Sequence, residues 1–282
     1  GGAATITLTS GQALTLTKDV TIAGPGADKL AVSGNNAQRV FAVNSGVTAT
    51  IGELTIRDGK LTGSNRGAGI HNSGVLTVTN SAFTANNTQY DGGGIYSIGT
   101  LTVLSDTFAD NIAFRGAGIS NSGTLEVANT RFDRNDASIQ EGGAIYNTGT
   151  VNVRESVFDA NRAVMGGGIS NSGSITLTKS IFSSNYAMLN GPGVYNTGSI
   201  MVEGSTFISN TGAWGGGILS TGMLTATDST FSNNSNSGNG GGIAIFGGTA
   251  ALYNSTVYSN AASSGGGIYV VSGALTVTNG TD

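Results

Sequence analysis

Residues 142–169 read GGAIYNTGTVNVRESVFDANRAVMGGGI, and this stretch decides the fold. It opens on Gly142-Gly143-Ala144-Ile145, passes through Phe158-Asp159-Ala160-Asn161 and closes on Gly166-Gly167-Gly168-Ile169, so it is one unit held between two copies of a tetrapeptide. Outward in both directions the same signals recur. The glycine tetrapeptide ends at Ile70, Ile95, Ile119, Ile145, Ile169, Val194, Ile218, Ile243 and Ile268, in steps of 24 to 26 residues. Phe-x-x-Asn supplies Phe83, Phe108, Phe132, Phe158, Phe182, Phe207 and Phe231, with Val257 in the eighth place. Its asparagines are Asn86, Asn111, Asn135, Asn161, Asn185, Asn210, Asn234 and Asn260. A period of this length marks a solenoid, whose repeats bury their apolar faces only against their neighbours.

Between the two signals runs a short segment of period-two alternation, as in Val75-Leu76-Thr77-Val78-Thr79 and Ser174-Ile175-Thr176-Leu177. Alternation places Leu76 and Val78 inward and the threonines outward. The same inward pair is read toward the N-terminus as Ile6/Leu8, Leu30/Val32 and Leu54/Ile56. No helical period competes, and glycine at this density costs a helix about 1 kcal/mol per site. A coil of this length suits three short strands and three turns, stacked in parallel, with crossovers of right-handed sense. The expectation is therefore an all-β, right-handed, single-stranded parallel β-helix (a β-solenoid) of about eleven to twelve coils. It forms one domain over residues 1–282, with N-terminal irregular coils at 1–53 and regular repeats at 54–282.

Composition narrows the function. The chain of 282 residues has a net charge of −4, 47 glycines, two prolines and no cysteine. There is thus no basic footprint for nucleic acid, no disulfide framework and no thiolate metal site. No apolar run is long enough for a transmembrane helix, and no signal sequence is visible in this chain. Glycine runs in this setting are corners, since no phosphate-binding Gly-x-x-x-x-Gly-Lys-Ser/Thr occurs. Metal and cofactor sites are not expected.

Each motif has a structural cause. Phenylalanine at one coil position builds an aromatic stack, and the asparagine three residues on builds an amide ladder that holds a turn in register. A second, partial ladder is read at Asn72, Asn121, Asn147, Asn171 and Asn196. The glycine just before each isoleucine (Ala144 in one coil) fits positive φ or a close backbone approach. Four residues before the isoleucine stand Arg66, Asp91, Arg115 and Glu141, alternating in sign as a surface ladder would.

The paired tetrapeptides resemble the repeats of the chlamydial polymorphic outer-membrane proteins, and similar repeats of large β-helical surface proteins in other bacteria. Gly142-Gly143-Ala144-Ile145 matches the motif literally, other copies read Gly-Gly-Gly-Ile, Gly-Ala-Gly-Ile or Gly-Pro-Gly-Val, and the resemblance covers about residues 54 to 279. It implies an exported, often adhesive autotransporter-type passenger at the bacterial surface, with no catalytic residues to transfer. The chain departs from that pattern in carrying neither cysteine nor a C-terminal membrane barrel.

Candidate chemistry is sparse. Asp133 and Asp159 occupy one coil position and are expected one rung apart, a spacing of roughly 5 Å that resembles the carboxylate pair of a retaining glycosidase. Arg131, Arg134 and Arg162 lie nearby, so a neutralised turn is the competing reading. His71 has no partner of catalytic type. Tyr96, Tyr146 and Tyr195 recur on alternate rungs just after the isoleucine position and are the candidate glycan contacts, roughly 9.6 Å apart. Threonine pairs such as Thr77/Thr79 and Thr276/Thr278 suggest a water-ordering plane, but Glu126, Asn152, Arg154, Met201, Glu203 and Tyr253 interrupt it. Trp214 is expected to cover a corner. The expected function is a non-enzymatic extracellular stalk or adhesin passenger, its partners host or matrix glycans or, head to tail through open coil ends, itself. A polysaccharide-binding or polysaccharide-degrading β-helix is the alternative.

Overall fold

The computed structural model describes residues 4–280 and contains only strands and connections, without a helix. Three parallel sheets of eleven strands each run the length of the molecule. One coil shows the plan. Ile169–Asn171 lies in the sheet that carries the glycine-motif isoleucines, Ser174–Thr178 in the sheet of the Leu/Val pairs, and Ile181–Ser183 in the sheet of the phenylalanines. We call these the isoleucine, leucine and phenylalanine sheets. The parallel β-helix read from the repeat is thus the fold, with eleven coils.

The core columns follow the pairing. Phe83, Phe108, Phe132, Phe158, Phe182, Phe207 and Phe231 are fully buried, and their rings stack nearly parallel at 4.4 to 5.0 Å. Each ring contact adds about 0.5–1.5 kcal/mol beyond its buried area. Beside the stack, Asn161 Nδ2 donates to Asn185 Oδ1 at 3.0 Å and to Phe132 O at 3.0 Å, while Asn161 N donates to the same Asn185 Oδ1 at 3.0 Å. This pattern repeats from Asn86 to Asn234, and Asn260 closes it with its bond to Phe231 O at 2.8 Å. The second ladder also forms: Asn121, Asn147, Asn171 and Asn196 link in series at 2.8 to 2.9 Å, Asn196 donates onward to Ser220, and Asn72 donates to Ser97, which stands between it and Asn121.

Two glycines show what the corner demands. Gly166 has φ +65°, and a Cβ there would collide with Ile169 O. Gly193, just before Val194, has ordinary φ, but a Cβ would overlap Gly217 O of the next coil and meet the Phe207 ring at 3.0 Å. Positive φ and close approach, offered as alternatives for one glycine, are divided between the first and third glycines of the motif.

The N-terminal columns differ from the sequence reading. Ile6 pairs with Val32, Val32 with Ile56, and Ile56 with Phe83, so these residues head the phenylalanine column. The leucine column begins instead at Val20 and Ile22, continuing through Ala49 and Ile51 to Leu76 and Val78. Alternating apolar pairs look alike in both sheets, and only the turn lengths tell them apart.

A fourth sheet was not anticipated. After the ladder asparagine the chain forms a further strand, as in Asp136–Glu141, Arg162–Met165, Tyr186–Asn190, Thr211–Trp214 and Ser235–Asn236. Its inner positions hold buried Ala137, Ala163 and Ala187. Register shifts at Ala137/Glu141, Ala163/Met165 and Ala187/Asn190 break its alternation, which is why no period-two signal marks it.

Candidate functional site

The outer face of the isoleucine sheet is not open. Its outward column runs His71, Tyr96, Ser120, Tyr146, Ser170, Tyr195, Leu219, Ala244 and Tyr269, as the repeat predicts. The positive-φ glycine turns the incoming chain back over this face, and the residue before that glycine lies above it. Tyr96 is therefore only 8% exposed, and Ser120, Leu219 and Ala244 are buried outright.

In the first half of the rod the cover is ionic and aromatic. Arg66 and Arg115 both reach Asp91, with Arg115 forked across it at 2.9 and 3.2 Å and Arg66 Nε at 3.1 Å. The carboxylate is almost entirely buried, at 4% side-chain exposure. The Arg66 guanidinium lies 5.0 Å from the Tyr96 ring centre and donates to Tyr96 Oη at 3.2 Å; Arg115 repeats this on Tyr146 at 4.8 and 3.3 Å. The expected charge ladder thus forms at Arg66, Asp91 and Arg115. Glu141 departs from it, accepting a hydrogen bond from Ser170 Oγ at 2.9 Å. A bulge in the strand that carries Glu141 changes the spacing there.

This geometry revises the picture of three free tyrosines. Tyr96 and Tyr146 have guanidinium groups on the ring surface that a sugar would use. Tyr195 is half-buried with no guanidinium over its ring among the described residues, and its phenol is pushed up from the usual value by burial and by Glu141. His71 packs edge-on against Tyr96 at 5.2 Å. Burial, with Arg39 and Arg66 adding positive field, pushes its imidazole down to about 4, so it is neutral at physiological pH and not poised as an acid or base there.

Asp133 and Asp159 are paired across adjacent strands, as their spacing predicts. Arg131 Nη2 bridges them, 3.3 Å from Asp133 Oδ1 and 2.7 Å from Asp159 Oδ2. Arg134 binds Asp133 and forks onto Asp110, and Ser183 Oγ donates to Asp159 at 2.7 Å. Arg162 is elsewhere, over the Tyr186 ring at 5.4 Å. Both carboxylates are engaged by cations, which is how a structural ion-pair cluster is built. Among the described residues no three His, Cys, Asp or Glu side chains gather as a metal site.

The outer face of the leucine sheet is mostly uncharged, with Glu126, Arg154 and Glu203 as exceptions. Thr21, Thr50, Thr77 and Thr102 align in one column before Glu126, and Asn152, Met201 and Ala251 interrupt it further on. A shallow trough of about 380 Å³ crosses the later coils, lined by residues that include Ser174, Thr176, Met201, Met223, Thr225 and Thr276.

Two features escaped the motif reading, the Tyr90–Phe114 stack and the Asp106 corner. Tyr90 and Phe114 stand in the fourth-sheet region, where the sequence has no period, and their rings stack at 6.2 Å and 13°. Trp214 does cover a corner, edge-on to Phe246 at 5.5 Å. Asp106 replaces a hydroxyl in a corner ladder of Ser81, Thr130, Ser156, Ser180, Ser205, Ser229 and Ser255. A Ser or Thr five residues before the phenylalanine-motif asparagines, broken once by Asp, was the signal available. Burial pushes its carboxyl up to about 7, against the opposing pull of N–H donors from Ser81 and Leu104.

Comparison with known proteins yields no matching family profile, no matching curated protein and no matching solved structure.

Proposed function

We propose that this chain is a non-enzymatic, exported structural rod of a bacterial surface, built in the manner of the polymorphic outer-membrane repeats, that presents a long rigid face to host or matrix glycans. The observation that carries this reading is the contrast between the inside and the outside of the coil. Inside, Phe, Asn and Ile repeat rung after rung. Outside, the same positions change from tyrosine to serine, leucine or alanine, and from arginine to aspartate or tryptophan. A frame that repeats while its surface varies supports recognition along a line more than chemistry at a point. The arginine-bridged Asp133 and Asp159 favour it over the hydrolytic alternative.

Negative-stain microscopy of the purified 282-residue chain over a concentration series, together with a glycan array, tests the proposal. Rods of about 50 Å, from eleven rungs at the parallel-strand spacing, that retain specific glycans are expected. Ile6 and Val277 on the outermost described strands are 51% and 49% exposed, so the same series also reads end-to-end association as fibres that lengthen with concentration. Hydrolysis of a polysaccharide that disappears in Asp133→Asn would overturn the non-enzymatic reading.

A further inference from the structure

We propose that Arg66 and Arg115, with the aromatic pair Tyr90 and Phe114, form a subsite for an anionic sugar unit, a pyranose bearing a carboxylate or sulfate; this rests on the glycan-binding reading above and names the ligand class. The first support is charge. The chain is acidic overall, at −4, yet Arg66 and Arg115 on the outer face of these coils share the one carboxylate of Asp91. Arg39 donates to the carbonyls of Gly67 and Arg66, at 2.9 and 2.7 Å, and forms no ion pair among the described residues. The depressed imidazole of His71, with Arg39 and Arg66 among its causes, reports the same positive field.

The second support is preorganisation. Arg66 lies with Nε 3.1 Å from Asp91 and donates Nη1 to Tyr96 Oη, while Arg115 forks onto the same carboxylate. The Arg66 side chain is 38% exposed and that of Arg115 is 27% exposed. Because both reach one carboxylate, the two guanidinium groups are held side by side by a group that water scarcely touches. Preorganised, partly exposed guanidinium groups are what recognition of a carboxylate or sulfate needs.

The third support is the apolar surface beside them. Tyr90 lies 4.7 Å from the Arg66 guanidinium carbon, and Arg115 stands 5.9 Å from both Tyr90 and Phe114. Both rings are half-buried, and with Arg66 over Tyr90 and the two rings stacked on each other, the part of them that stays exposed offers apolar area beside the groups that would hold an anion. Free Tyr96 or Tyr146 faces are not required.

Isothermal titration of the whole 282-residue chain with tetragalacturonate, a sulfated tetrasaccharide and fully methyl-esterified tetragalacturonate tests the subsite. Binding of at least one anionic probe, at least tenfold tighter than the neutral ester and weakened by salt, is expected. Arg66→Gln and Phe114→Ser should each lower that affinity at least tenfold, while Arg154→Gln on the leucine sheet leaves it unchanged. The preference between the two anionic probes identifies which anion the site reads. Equal binding of the neutral ester, or no binding of either anionic probe, overturns the subsite, and the ester comparison needs no variant to fold. If the glycan array retains neutral glycans while both anionic probes fail, the adhesive reading survives and the subsite alone falls; if nothing is retained, both fall.

Discussion

The two halves of the rod solve one packing problem in opposite ways. On the isoleucine sheet of the early coils, Arg66, Asp91 and Arg115 lie over Tyr96 and Tyr146, and the outer layer is held by charge and guanidinium–ring contact. In the later coils Trp214 stands where the arginines stood, the residues beneath are Leu219 and Ala244, and Phe246 closes the contact edge-on. The same glycine turn and asparagine ladder lie under both. The lesson is that the frame sets where side chains meet, while their chemistry is free to differ from coil to coil. Functional diversity in such a rod belongs to the cover.

The largest expected effect attacks what the halves share. Asn161→Leu leaves Phe132 O and the N–H groups of Asn135 without their partner in a dry interior. Each orphaned buried group costs about 1–3 kcal/mol, so a loss of roughly 4 kcal/mol is expected by denaturant unfolding. A loss below about 1 kcal/mol would mean that the ladder is not what holds the frame.

Next in size is the contrast itself. Asp91→Asn strips the buried counter-ion from two arginines and should cost about 2–3 kcal/mol, below the value for a fully buried pair because both arginines touch water. Trp214→Ala removes half-buried apolar area and should cost about 2 kcal/mol. The distinguishing measurement is salt: the wild-type advantage over Asp91→Asn should shrink in 1 M NaCl, whereas that over Trp214→Ala should not. Equal salt responses would erase the distinction between an ionic and an apolar half.

An effect that vanishes in acid lies on the serine ladder, where Asp106 intrudes in the early coils. Its folded-state carboxyl titrates at about 7, raised above the ordinary 3.8, so its ionisation is harder in the fold than in the open chain. The wild-type protein is therefore free of this penalty below about pH 4 and acquires it progressively as pH rises toward 7. Asp106→Ser, which copies Ser156 and Ser180, should stabilise by up to about 4 kcal/mol at pH 8 and by nothing near pH 4. Thermal melts at the two pH values decide it; a pH-independent difference would show that Asp106 does not ionise against burial.

Much of the frame was legible from single residues. Phe158 and Asn161 recur at one period, and a parallel solenoid is the structure that aligns such positions at strand spacing, so stack and ladder followed directly. Asp133 and Asp159 were likewise brought together by their place in the repeat. The assignment of Ile6 and Val32 to the leucine column failed because apolar alternation carries no label for which sheet it enters. The fourth sheet was hidden because Ile139 and Leu189 sit at or beside bulges that break the period. Tyr96 reads as outward by strand parity, and it is; parity is silent on whether another layer covers that side.

Repetition alone determined the all-β solenoid, its coil length and the identity of its core columns, since a period near 25 with Phe, Asn and Ile in fixed places admits one way of stacking. Only the tertiary structure decided which outer positions meet. The turn at the positive-φ glycine folds one coil back over its own strand, and that return brings Arg66 onto Tyr96 and Asp91 between two arginines. The physical reason is range: the ladder contacts repeat with the sequence period, whereas the cover contacts depend on the dihedral angles of one turn and on bulges that follow no period.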